Sequence, residues 1–144
     1  MEYTKVREVK DPQQAEGDAG IDFFIPKDFR PTSLEPGESA VIASGIKAIV
    51  PKGYALIAFN KSGIAVNRGL QVGACVVDSS YRGEIHIHLT NVSDLATHIA
   101  PHDKIIQFVL LPYIPGDLKL ITTDKYDDDN TKRGSGKFGS TDKQ

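Results

Sequence analysis

Glu84-Ile85-His86-Ile87-His88-Leu89 alternates polar and apolar residues without a break. In an extended chain successive side chains point to opposite faces. Ile85, Ile87 and Leu89 therefore line one side, and Glu84, His86 and His88 the other, as in a strand with one face in a core. Downstream, residues 105–111 form a nearly continuous apolar run closed by Pro112, which predicts a strand buried on both faces. Upstream, the apolar stretches 22–25, 40–50 and 73–77 end at Pro26, Pro51-Lys52-Gly53 and Asp78-Ser79-Ser80, and residues 54–59 supply one more. The 144 residues include 14 Ile, 10 Val and 8 Thr, with 13 Gly and 8 Pro spread among them. This β-branched, turn-rich composition predicts an all-β domain, a sandwich or barrel of short strands. Helical signal is confined to residues 61–69, where Gly63 and Gly69 limit a helix to one or two turns.

A chain of this length forms one domain that buries roughly 70% of its unfolded surface without staples or metal. Its single cysteine excludes an internal disulfide framework, and a net charge of -2 gives no field for a polyanionic duplex, so nucleic acid is not expected as a partner. No apolar run approaches the ~20 residues of a membrane span. Residues 1–10 are charged and lack the apolar centre of a secretory leader, so an intracellular, cytoplasmic protein with no membrane partner is expected. The composition changes at residue 122: Asp127, Asp128 and Asp129 stand together, then the chain turns Gly-rich with Phe138 as its one large apolar residue. These features predict a β domain over residues 1–122 and a flexible C-terminal arm over 123–144.

Several clusters carry chemistry. In the arm, glycines and hydroxyls surround Arg133 and Phe138: backbone N–H groups and a guanidinium suit phosphate oxygens, and an aromatic ring with no core to join suits a nucleobase. The same composition is also that of an ordinary solvated tail. Asn60-Lys61-Ser62-Gly63 reads either as a turn or as a phosphate contact. Asp78, at the exit of an apolar strand and three residues before Tyr81, reads either as a hairpin turn or as a general base beside a stacking surface. Gln107 is the only amide in its apolar run and needs a partner. His86 and His88 share a strand face but lack an evident third metal ligand, and Cys75 reads as a small core residue rather than a nucleophile.

Taken in order, five segments resemble the motifs of the homotrimeric dUTPase family (dUTP diphosphatases). They are Ala19-Gly20-Ile21-Asp22, Lys61-Ser62-Gly63, Val76-Val77-Asp78-Ser79-Ser80-Tyr81-Arg82-Gly83-Glu84, Asp103-Lys104-Ile105-Ile106-Gln107, and residues 133–141. The resemblance implies a jelly-roll-like β-clip subunit in a threefold trimer, three chains building each site and the arm of one closing over its neighbours. It implies hydrolysis of dUTP to dUMP and pyrophosphate, limiting uracil in DNA and supplying dUMP for thymidylate synthesis. Asp78 would activate the water that attacks the α-phosphorus, and Tyr81 would pack on the deoxyribose. Lys61, Ser62, Gly63 and Gln107 would bind phosphate, and Phe138 would stack on uracil. Arg133, Gly139, Ser140 and Thr141 would close on the terminal phosphate. Asp22 and Arg82 would support the site, with Asp22 helping to hold the water shell of Mg²⁺. The Mg²⁺ itself would ride on the triphosphate without a direct protein ligand.

Three residues depart from the family pattern: Lys61 where Arg is usual, Cys75 where Gly is usual, and Lys137 in place of a second adjacent glycine. Two alternatives stand beside hydrolysis. One is a dCTP deaminase or another deoxynucleotide pyrophosphatase on the same fold, although residues 70–77 offer no separate carboxylate to activate water at the base. The other is a nucleotide-gated switch for a protein partner.

Overall fold

The computed structural model describes residues 1–127 and 131. The described residues are built from strands β1 (Glu2–Lys5), β2 (Gly20–Phe23), β3 (Thr32–Leu34), β4 (Ser39–Ala43), β5 (Ile46–Ile49) and β6 (Tyr54–Asn60). Helix α1 (Ser62–Arg68) follows. Then come β7 (Leu70–Val72), β8 (Val76–Val77), β9 (His86–Asn91), β10 (Thr97–Ile99), β11 (Ile106–Pro112) and helix α2 (Thr123–Asp127). The fold is all-β. Two compact units are defined, Met1–Ile114 and a second that begins at Pro115. In the second, α2 is a short turn of helix in which the Tyr126 N–H donates to the Thr122 carbonyl at 3.1 Å. No helix among the described residues is long and apolar enough to cross a membrane.

Four antiparallel sheets make the first unit: β2-β11-β6-β8, β4-β9-β7, and the two-stranded pairs β1-β5 and β10-β3. Their inner faces share one core in which Phe23, Ile25, Leu56, Ile87, Ile106 and Phe108 are almost fully buried. The alternation expected from Ile85 through Leu89 is observed, with all three apolar residues inside. At one end of this strand, Asn91 is fully buried. Its amide donates to the carbonyls of Leu34 and Leu95, both at 2.8 Å, and its oxygen accepts from the Ser93 N–H and hydroxyl.

Three expectations from sequence change in detail. The run 40–50 is two strands, because Gly45 adopts φ +78 and the chain leaves β4 there to begin β5. Residues 73–77 yield only the two-residue β8. The segment crosses instead from one sheet to another, β7 pairing with β9 and β8 with β6. The run 105–111 is hydrogen-bonded along both edges but buried on one face only. Ile106 and Phe108 lie in the core, Gln107 and Val109 are half-buried opposite them, and Leu111 is exposed. Among the described residues only one face of this sheet has a core to pack against. Helix α1 does run from Ser62 to Arg68 and stops at Gly69, whose φ of +61 is the left-handed cap that favours glycine.

Asn91→Leu is expected to leave the Leu34 carbonyl and the Ser93 N–H without their side-chain partner, while the Leu95 carbonyl keeps only the Ser93 hydroxyl. The cost is on the order of 3 kcal/mol or more, measured as a lower urea midpoint with an unchanged slope.

Candidate active site

Two groups of residues stand out, on separate parts of the surface. The first surrounds a cleft of about 210 Å³ lined by Cys75, Asp78, Tyr81, Ile85, His86 and Phe108, among others. Its rim is the segment that crosses between sheets. The Cys75 carbonyl accepts from Ala58 N–H of β6 at 2.8 Å, and the Val72 N–H donates to Asn60 Oδ1 at 2.8 Å. Asp78 follows β8 directly, and its carbonyl accepts from the Tyr81 N–H at 3.1 Å, closing a tight turn. The Tyr81 hydroxyl donates to the Glu84 carbonyl at 2.8 Å, and the ring lies so close to Gly83 that a Cβ there would meet the hydroxyl at 2.3 Å. Arg82 faces the turn itself, donating to the carbonyls of Ser79 and Tyr81 at 2.7 and 2.8 Å. Cys75 is half-buried: it touches the edge of the core, as expected, and also lines the cleft.

Glu84 anchors the far end of this turn. One oxygen accepts from Arg7 Nε at 2.8 Å and from the Gly45 N–H at 2.8 Å, while Arg7 also reaches Asp28 at 3.2 Å. Burial pushes the Glu84 carboxyl up, but the hydrogen bonds from Arg7 and Gly45 outweigh it and hold the group below the ordinary carboxylate range.

The second group lies where β2, β11 and the start of α1 meet. Asp22 takes Lys61 on one carboxylate oxygen and Lys104 on the other, the latter at 2.9 Å. Burial raises the Asp22 carboxyl, and the two lysine hydrogen bonds more than reverse that, so it sits below its ordinary 3.8. Gln107, directly opposite Asp22 in register, donates to the Asn60 carbonyl at 2.9 Å. Its amide oxygen lies against Gly20, where a Cβ would meet Oε1 at 2.2 Å. Gln107 and Asn60 line a second cleft of about 500 Å³, with Asp18, Gly20 and Phe59. Ser62 and Gly63 open α1 and are exposed. Helix geometry leaves the first N–H groups of a helix without intrahelical acceptors.

Asp78 and Tyr81 thus come together around one cleft, while Asp22, Lys61 and Gln107 gather elsewhere, and the two clefts share no lining residue. Arg133, Phe138, Gly139, Ser140 and Thr141 lie outside the described residues. Sequence reasoning gave no individual role to Lys104, Asn60 or Gly20, although all three lay inside quoted segments. Each is recognisable only once strand register brings it beside Asp22 or Gln107. It also left His86 unassigned, because alternation shows which side of a strand a residue faces but not what lies there.

Comparison with known proteins places the chain in a family. The dUTPase family model matches residues 8–142. A deoxyuridine 5'-triphosphate nucleotidohydrolase from Chlamydia pneumoniae is 39% identical over 113 residues, covering 77% of this chain and 76% of that protein. Among solved structures, a mutant of the Staphylococcus bacteriophage 80alpha dUTPase with dUpNHpp superposes with a TM-score of 0.83 at 22% identity, over 97% of this chain and 96% of the other. A mutant dUTPase from phage phi11 of S. aureus, described with a coordinated structural Mg(II) ion, has a TM-score of 0.74 at 24% identity, over 83% and 95%. Fold and family together define an all-β nucleotide hydrolase. The chain belongs to the dUTPase family.

Asp22 ties its stability contribution to its ionised form. Its folded-state value is depressed, so the contribution is complete above the unfolded value and fades as pH falls below about 4. Asp22→Asn is expected to lower stability by about 2 kcal/mol at pH 7 and to flatten the acid limb of a melting-temperature profile from pH 7 to pH 3. Gly20→Ala is expected to displace Gln107 and weaken nucleotide binding severalfold with the fold retained, read by titration calorimetry beside circular dichroism.

Proposed function

We propose that this chain hydrolyses dUTP to dUMP and pyrophosphate at composite sites in a homotrimer. Uracil sits in the cleft under residues 73–78 of one subunit, and the triphosphate lies against the Asp22–Lys61–Lys104 cluster of another. The observation that supports this reading is the division of labour within one chain: a ring-sized cleft with a carboxylate at its rim in one place, and a pair of ammonium groups in another. Either half is incomplete for a nucleotide triphosphate. Joining them between subunits supplies both.

In the reaction a water oxygen attacks the α-phosphorus, the bond from that phosphorus to the bridging oxygen of the β-phosphate breaks, and pyrophosphate leaves. Asp78 orients the water and accepts its proton. Tyr81, held by Glu84 and pressed on Gly83, presents a fixed ring face to the deoxyribose and leaves no room for a 2′-hydroxyl. Lys61 and Lys104 supply positive charge already positioned by Asp22, so little reorganisation is needed as charge develops on the leaving group. Ser62, Gly63 and Gln107 complete the phosphate contacts. The arm residues Arg133, Phe138, Gly139, Ser140 and Thr141 close over the bound nucleotide, with Phe138 on the base. Arg82 supports the turn through its two carbonyl contacts.

Mg²⁺ fits this scheme as part of the substrate. Among the described residues no three His, Cys, Asp or Glu side chains converge on one point, and Asp22 is committed to two lysines. Mg²⁺ bound to phosphate oxygens neutralises the triphosphate and withdraws charge from the phosphorus under attack. Asp22 then acts by aligning its lysines rather than through the metal's water shell.

Pyrophosphate release with Mg²⁺ is expected from dUTP and not from dTTP, dCTP, dATP, dGTP or UTP; release from another nucleotide in preference to dUTP overturns the assignment. Asp78→Asn is expected to reduce kcat by at least about 10³-fold with dUpNHpp affinity largely kept, and unchanged turnover shows that the base is another group.

A further inference from the structure

We propose that His88 is a positioning residue of the base-recognition loop, holding the Gly73–Ala74 peptide through an acceptor nitrogen. Nucleotide binding by this chain is therefore weakened in acid. The inference rests on the assignment of the cleft under residues 73–78 to uracil.

His88 lies on the outward face of β9, between the core-facing Ile87 and Leu89. Two consecutive N–H groups of the loop end on it. Gly73 N–H donates to the His88 carbonyl at 3.0 Å, and Ala74 N–H donates to His88 Nδ1 at 2.9 Å. The ring lies flat on Gly73, where a Cβ would meet Nδ1 at 2.2 Å and Cε1 at 2.5 Å. Any larger residue there pushes the imidazole away from the loop.

A backbone N–H can only donate, so Nδ1 must hold a lone pair and the ring proton sits on Nε2. The peptide between Gly73 and Ala74 is trans, as are all described peptides. Its carbonyl therefore points opposite to the N–H that His88 holds. By fixing one bond the imidazole fixes the direction of the Gly73 carbonyl, in a loop whose next residues, Ala74 to Asp78, line the cleft. In the protonated ring both nitrogens carry hydrogens. Nδ1–H then faces the Ala74 N–H, donor against donor, and the loop loses its brace.

The groups around the ring leave few rivals for such a pH effect. From β4 the same face brings Ser39, Val41 and Ala43, a face marked by the 2.8 Å contact between the Ser39 and Thr90 hydroxyls. From β7 it brings Gln71, which pairs with Thr90. None of these titrates. On β9 itself His86 stands two residues away, its Nδ1 at 2.9 Å from the Glu84 carbonyl, and Glu84 is occupied by Arg7. The loop contributes Cys75 and Asp78, both on the cleft side.

The experiment compares wild type, His88→Asn and His88→Leu by titrating dUpNHpp with Mg²⁺ from pH 8 to pH 5.5. In His88→Asn the side-chain oxygen takes the place of Nδ1 and does not titrate. At pH 8 its Kd is expected to match wild type, and at pH 5.5 to be about 5- to 10-fold tighter than wild type. Taking the ratio of the two proteins at each pH removes the ligand's own phosphate titration. His88→Leu, without an acceptor, is expected to bind about 5- to 10-fold more weakly than wild type at pH 8, with kcat at saturating dUTP close to wild type. Equal Kd for wild type and His88→Asn at every pH overturns the proposal even if His88→Leu fails to fold. Wild type that neither binds dUpNHpp nor hydrolyses dUTP at pH 8 instead removes the assignment of the cleft.

Discussion

The register of β11 between β2 and β6 is the constraint from which the cluster around Asp22 and Gln107 follows. Gln107 lies opposite Asp22 on one edge and Phe59 on the other, and that pairing places Gly20, Asp22, Asn60 and Lys61 around a single spot. Side chains on a strand alternate with period two, so a slip of one residue sends Gln107 into the core and Phe108 out to solvent. Phe108 resists the slip: it is almost fully buried against Phe23, with ring centroids 4.5 Å apart. Apolar packing on one face of the sheet thereby fixes polar chemistry on the other. Asp22 finishes the arrangement by holding two ammonium groups that otherwise repel one another.

Signals confined to a few neighbouring residues were legible in the sequence. The strict alternation of residues 84–89 gave a strand and its buried face, Gly69 ended the helix, and Asp78-Ser79-Ser80 marked a turn. What escaped reading depends on residues far apart. Gly45 breaks the 40–50 run, yet the same glycine belongs equally to a strand bulge until its φ is known. The short β8 and the crossing of residues 73–75 between sheets are set by partners on β6 and β9. The motifs named Asp78, Tyr81, Asp22, Lys61 and Gln107, which the structure gathers into two clusters. The lysine at 104 and the imidazole at 88 were not legible, because their roles lie in contacts with Asp22 and with Ala74.

One departure from the family pattern acquires physical meaning in this setting. Lys61 is a point charge, and it reaches Asp22 from the residue preceding a helix, a position where a planar guanidinium meets the carboxylate with different geometry.

Three glycines share an unusual duty. Gly20 lies under the amide of Gln107, Gly83 under the ring of Tyr81, and Gly73 under the imidazole of His88, with a Cβ at any of them meeting its neighbour between 2.2 and 2.3 Å. At Gly73 and Gly83 a flat ring, and at Gly20 an amide oxygen, is held by the absence of a side chain as much as by hydrogen bonds. This imposes an order on mutational history. A lineage leaving the Gly73–His88 or Gly83–Tyr81 pair first shrinks or removes the planar partner and only then replaces the glycine, because the reverse order displaces the ring. Each pair therefore behaves as one unit, and change around the cleft under residues 74–78 is channelled toward lining positions such as Cys75 that meet no such neighbour.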